Sequence, residues 1–235
     1  PQKKWSEIKG ENSWTMFKVI AEFVEGFERM NKIEPCVSIF GSARTKPGTK
    51  YYELAVEVAK RLIHEGYGVI TGGGPGVMEA GNKGAHLAGG TSVGLNIELP
   101  FEQSHNPYID IDKNLNYNYF FIRKVMFVKY AQAFVTLPGG FGTMDELFET
   151  LTLLQTKKIS DFPVVLFGKD YWSQLLKQIN VMQEVGTISK KDLQLLFVTD
   201  SVTEGMDYIY SKLENKYGKP LKFKTAKSSW WFGER

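Results

Sequence analysis

The sequence predicts an α/β fold, a doubly wound parallel sheet, and three observations predict it. Short apolar runs bounded by turn residues recur at 36–40, 67–71, 92–99, 133–137, 164–167 and 195–198. Between them lie stretches whose apolar residues fall at helical spacing, so strands alternate with helices. Three strands run into turns rich in glycine or other small residues: 41–44, 72–76 and 138–143. Right-handed crossovers should bring all three turns to one rim, beyond the carboxyl ends of the strands. This is the Rossmann-like arrangement. It is expected as a single domain over residues 33–215, with an added N-terminal tail and helix (1–32) and a C-terminal tail (216–235).

In chain order, residues 1–12 are polar, and a helix is expected over 14–30, with Phe17, Ile20, Ala21, Val24 and Phe27 on one stripe. After the first strand, 51–65 carries Leu54, Val58 and Leu62 on one helical face and stops at Gly66. The second strand and its glycine turn lead into a helix over 77–87. The third strand closes at Pro100. Residues 101–118 form the longest polar, irregular stretch, a candidate wall or lid. A very apolar helix over 119–130 carries Arg123, and a fourth strand and glycine turn follow. Two further strand–helix units then reach about residue 215, and the tail ends in Trp230-Trp231-Phe232, a candidate packing anchor. No internal repeat or low-complexity segment interrupts this order.

Composition narrows the function classes. Hydrophobic residues make up 43% and charged residues 23%, the balance of a soluble domain with a sizeable core. A net charge of +3 on 29 basic and 26 acidic side chains is too even to point to nucleic acid or a membrane surface. Cys36, alone of its kind, excludes an internal disulfide and a multi-cysteine metal site. His64, His86 and His105 lack ligand spacing, so no metal is expected. No apolar run approaches the roughly 20 residues that span a bilayer. The first residues lack the apolar core of an export signal, so a cytoplasmic location is expected.

The chemistry concentrates at Pro138-Gly-Gly-Phe-Gly-Thr-Met-Asp-Glu146. A buried strand, a turn with Gly139, Gly140 and Gly142, and a helix start leave backbone N–H groups free for an anion, most often a phosphate. The Gly-Lys-Ser/Thr ending of a triphosphate loop is absent, which points to a monophosphate. Thr143 and Glu146 have capping-box spacing, so spacing alone fits a helix cap for Glu146 first and a site carboxylate second. Arg123 either extends to water from its apolar helix or holds its guanidinium toward the pocket. The turn at Gly72, Gly73 and Gly74 invites a dinucleotide reading, but the third glycine of that fingerprint would fall at Val77, and no nicotinamide cofactor is expected.

These motifs resemble those of the Lonely Guy (LOG) family of cytokinin riboside 5′-monophosphate phosphoribohydrolases, whose bacterial members are also described as AMP nucleosidases. Pro138–Glu146 fits its PGGxGTxxE motif, Thr71-Gly-Gly-Gly-Pro-Gly-Val-Met-Glu-Ala80 its other glycine motif, and Arg123-Lys124 its catalytic arginine. The resemblance covers about 33–215 and leaves the N-terminal helix and aromatic tail unmatched. It implies hydrolysis of the N-glycosidic bond of a purine nucleoside 5′-monophosphate. Arg123 and Glu146 would be catalytic. Gly139, Gly140, Gly142, Thr143, Ser42, Arg44, Gly73, Gly74, Met78, Glu79 and Lys124 would bind substrate, with no metal and no cofactor. Relatives once labelled lysine decarboxylase share the motifs, but no lysine motif for pyridoxal phosphate stands out here. The alternative is a non-catalytic nucleotide sensor or carrier. The apolar helices at 14–30 and 119–130 suggest a homodimer or higher homo-oligomer.

Overall fold

The computed structural model describes residues 5–99 and 105–217. Its seven strands are β1 (Cys36–Phe40), β2 (Gly68–Thr71), β3 (Ser92–Ile97), β4 (Asn114–Tyr117), β5 (Ala131–Thr136), β6 (Val164–Phe167) and β7 (Phe197–Thr199). They form one sheet in the order β4-β3-β2-β1-β5-β6-β7, and every neighbouring pair is parallel. The doubly wound α/β prediction is thus met. The order reverses between β1 and β5, so the crevice that such a fold offers a ligand opens there.

Among the described residues seven α-helices cover the two faces: α1 (Trp5–Met30), α2 (Lys50–His64), α3 (Val77–Leu87), α4 (Phe120–Tyr130), α5 (Phe141–Gln155), α6 (Lys169–Glu184) and α7 (Val202–Tyr217). Strand alternation divides the core between them. Val37, Ile39 and Val135 point to the face packed by α2, α3 and α7. Phe40, Ile70, Phe134 and Leu166 point to the face packed by α4, α5, α6 and the end of α1. The central strand β1 is buried at all five positions, which is why it reads as an unbroken apolar run. The Cys36 thiol lies in this core and donates to the Glu34 carbonyl at 3.1 Å.

Three sequence expectations change. The first helix begins at Trp5, in a segment that lacks the apolar stripe and so reads as loose from pattern alone. The third strand ends at Ile97, two residues before Leu99. The stretch read as irregular contains the edge strand β4: Leu115 and Tyr117 are buried while Asn116 is exposed, a period of two too short to stand out. The Trp230-Trp231-Phe232 tail lies outside the described residues.

Beyond β1 and β5 the chains stay in register for two more bonds. Leu137 N–H donates to the Phe40 carbonyl at 2.8 Å, and Ser42 N–H to the Pro138 carbonyl at 3.0 Å. The Ser42 carbonyl in turn accepts from Val77 N–H at 3.0 Å, which pins the start of α3. This approach requires glycine on both sides. A β-carbon on Gly41 would lie 2.6 Å from a Val77 methyl, and one on Gly76 would strike the Ser42 carbonyl. Gly76 also has φ +72°, a conformation that L side chains rarely adopt. Gly76→Ala is therefore expected to destabilise the fold by about 2–3 kcal/mol, read as a lowered midpoint in chemical denaturation.

Candidate active site

The three turns enclose a cavity of about 820 Å³ at the β1/β5 switch point. Ser42 and Arg44 line it from the first turn, Gly72, Pro75 and Met78 from the second, and Gly140, Gly142, Thr143 and Glu146 from the third. Arg123, Phe120 and Phe127 on α4 form the facing wall.

At one end lies the start of α5. Its N-cap is Gly140, and no side chain caps it. The first intrahelical bond runs from Met144 N–H to the Gly140 carbonyl at 3.0 Å. The N–H groups of Phe141, Gly142 and Thr143 precede that bond and point out of the helix with the positive end of its dipole, an anion cradle. Gly139 is shaped by its neighbours rather than by the cavity. A β-carbon there would strike the Thr143 side chain, and the Tyr171 hydroxyl donates to its carbonyl at 2.5 Å. The helix thus begins at Phe141, so Thr143 is already inside it and no Thr143–Glu146 capping box forms.

Thr143, Glu146, Leu147 and Thr150 make the buried stripe of α5, and three of the four are polar. Glu146 is only 4% exposed and its Oε2 has no hydrogen-bond partner. Burial lifts its pKa to about 7, against the pull of Arg123 and Lys124. Arg123 does not extend to water. Its guanidinium carbon sits 5.1 Å from the Phe120 ring centre and 5.6 Å from that of Phe127, and its Nε is buried without a partner. Burial holds the Arg123 pKa below its ordinary value, with Glu146 and Asp145 pulling it back up. Arg123 and Glu146 feel each other's charge, yet among the described residues no ion pair within 4.0 Å joins them. Both side chains line the cavity, so a ligand there can meet both.

Five sequence candidates do not line the cavity. Gly73 and Gly74 serve the turn's frame: their carbonyls each accept from the Asn106 amide at 3.1 Å. Gly139 packs against Thr143 and Tyr171. Glu79 turns away from the cavity and accepts from the Tyr52 hydroxyl at 2.6 Å. Lys124 pairs with Asp145 and Glu149. The cavity gains residues that the motifs do not contain: Phe40, Ile97, Leu99 and Phe127, which give it an apolar half, and the polar Asn96, while Phe141 of the third turn stands at its mouth. Phe141 is 95% exposed. The aromatic run of α4 is the sequence signal for that apolar wall. Asn106, in the stretch read as a wall or lid, anchors the second turn through buried Asn82, to whose Oδ1 it donates at 2.9 Å.

A Rossmann-like sheet carries a bare helix start, an arginine and a buried carboxyl around one switch-point cavity, the kind of concave site that suits a small anionic molecule. Residues 78–209, more than half of the chain, match the family described as "Possible lysine decarboxylase". The cytokinin riboside 5′-monophosphate phosphoribohydrolase LOG1 of Arabidopsis thaliana is 29% identical over 202 residues, covering 83% of this chain and 88% of its own. A probable member from the same plant, LOG6, is 30% identical, covering 65% and 76%. The chain belongs to this family, the Lonely Guy (LOG) family. Among solved structures, the Moco carrier protein of Chlamydomonas reinhardtii superposes with a TM-score of 0.55 at 22% identity, covering 78% of this chain and 99% of its own. The molybdenum cofactor binding protein of Rippkaea orientalis does so with 0.56 at 21%, covering 77% and 98%. At these identities the likeness shows the shared fold.

The raised Glu146 pKa has a stability consequence. A carboxyl that holds its proton more tightly when folded favours the fold below its unfolded pKa of about 4.3, and that contribution fades as pH rises through about 7. Glu146→Gln is neutral throughout. It is expected to raise unfolding free energy by about 2 kcal/mol at pH 8, with the gain vanishing near pH 4, measured by denaturant titration at both values.

Proposed function

We propose that the protein hydrolyses the N-glycosidic bond of a purine nucleoside 5′-monophosphate, adenine or cytokinin-type, to free base and ribose 5-phosphate. The observation that carries this reading is the pairing of buried Glu146 with Arg123 one helical turn from an uncapped helix start. The bare N–H groups of Phe141, Gly142 and Thr143 take the 5′-phosphate, helped by Ser42 and Arg44, and so fix the ribose. The apolar wall of Phe40, Met78, Ile97 and Phe120 suits the flat base. As the C1′–N bond breaks, positive charge grows on the sugar ring, as in O-glycoside hydrolysis. Ionised Glu146 stabilises that charge and orients the water whose oxygen bonds to C1′. Arg123 positions the nucleotide beside it, and the base leaves with the electron pair and takes up a proton.

The family description, lysine decarboxylation, finds little support. Among the described residues no lysine lines the cavity, so none stands where a Schiff base with a pyridoxal cofactor would form there. The second reading is a carrier on the same fold, the role that the name of the Chlamydomonas reinhardtii Moco carrier protein gives to that protein. It would use the phosphate cradle without requiring Arg123 and Glu146 together. The exposed apolar side chains of α1 and α4, Phe17, Ile20, Val24 and Phe121, support a homodimer.

Incubation with AMP, with adenine followed by chromatography, is expected to show base release. Release should fall about a thousandfold or more in Glu146→Gln and Arg123→Ala, while both still bind AMP in calorimetry. Binding without release by the native protein would favour the carrier. Because Glu146 works ionised, kcat/KM should rise with pH through about 7.

A further inference from the structure

Lys124 follows Arg123 on α4, and the two point to different sides of the helix. Its Nζ donates to Asp145 Oδ1 at 2.8 Å and lies 2.9 Å from Glu149 Oε2; only the first contact has hydrogen-bond direction. Asp145 immediately precedes Glu146 on α5, and Glu149 follows it by three residues. Asp145 and Glu149 stand four residues apart on one helix, a spacing at which like charges repel. One ammonium between them therefore offsets their mutual repulsion and ties the outer face of α5 to α4, at the level where Arg123 and Glu146 face the cavity. The Lys124 side chain is 18% exposed, less than Asp145 at 54% or Glu149 at 33%, so the cation is the best shielded of the three.

We propose that Lys124 is a positioning residue for the hydrolysis: its clamp on Asp145 and Glu149 fixes the spacing of α4 and α5, and with it the geometry and charge that Glu146 presents to the sugar. This rests on the function proposed above. Glu146 is faced by Arg123 and Lys124 from α4, by Asp145 and Glu149 on its own helix, and by Arg44 on the first turn across the cavity. Lys124 favours the ionised form of Glu146, and the two acidic neighbours oppose it. Loss of the lysine leaves those neighbours uncompensated. Loss of the two acids leaves the lysine acting alone.

The test is the pH profile of base release from AMP by the full chain. Lys124→Met is expected to move the acidic limb of kcat/KM up by about one pH unit, a loss of about tenfold on that limb and less on the plateau. The double variant Asp145→Asn/Glu149→Gln is expected to move the limb down. Lys124→Arg, which can keep both contacts, should stay near the native profile. A role confined to holding the helices together would scale each profile without moving its limb. An unmoved limb in Lys124→Met, or limbs moving the same way in both variants, would overturn the proposal. A native protein that releases no base would sink the hydrolase reading instead. In that case a ¹³C-carboxyl titration of Glu146, assigned by difference from Glu146→Gln, reads the clamp without turnover. Its midpoint should rise in Lys124→Met and fall in the double variant, and any other pattern counts against the clamp.

Discussion

Two backbone hydrogen bonds at one residue hold the site together. Ser42 donates to Pro138 of the third turn and accepts from Val77 at the start of α3, both at 3.0 Å. The first turn is therefore a strap between the other two, and the helix starts of α3 and α5 keep a fixed relation across the β1/β5 crevice. Main-chain contacts impose this without a specific side chain, but they need the chains to come close. That is why Gly41 and Gly76 flank the strap, where any β-carbon would meet Val77 or Ser42 itself. The Ser42 hydroxyl closes the turn by accepting from Arg44 N–H at 3.1 Å. A ligand arriving there finds its donors already in place, so little of its binding energy is lost to ordering the loops.

Against this rigid frame the helix starts are left bare. Neither α3 nor α5 carries a side-chain cap, although such a cap typically stabilises a helix by about 1 kcal/mol. The inner stripe of α5 adds to that cost, because Thr143, Glu146 and Thr150 occupy positions that apolar residues would fill more favourably. A polar stripe on the buried face of a helix breaks a local rule, and such a departure is expected at a functional site. Helices α2, α4 and α6 lack a side-chain cap as well, so the polar inner stripe of α5, rather than the bare start, sets this place apart.

Much of this was legible in the sequence because the signals were local. The buried strands read as apolar runs, and the glycine turns stood at their ends. Parallel topology then required the turns to share a rim. What stayed hidden depended on direction in space. Helix α4 is apolar on most sides, so its periodicity could not say whether Arg123 faced the cavity or water. Motif proximity placed Glu79 and Lys124 among the ligand-binding candidates, yet Tyr52 and the Asp145/Glu149 pair draw them elsewhere. The Asn82–Asn106 contact joins residues far apart in the chain, and neither belongs to a recognisable pattern. The capping-box reading of Glu146 failed by a short shift: the helix starts at Phe141, which moves Thr143 inward.

That shift changes the weight of the carrier and hydrolase readings. For a protein that only holds a phosphorylated ligand, a buried carboxyl near the anion cradle carries an electrostatic cost. Once ionised, Glu146 would repel the phosphate, and while protonated it leaves Oε2 unpartnered in the wall. Either state costs affinity or stability. The arrangement becomes favourable when positive charge forms between carboxylate and phosphate, as it does on the ribose when its bond to the base breaks. Arg123 offsets part of the carboxylate's charge in the resting site, and among the described residues no ion pair joins the two, so under the proposed hydrolysis Glu146 remains available to the sugar. The same electrostatics that make the pair a burden to a binding protein make it useful to one that stabilises a cationic transition state.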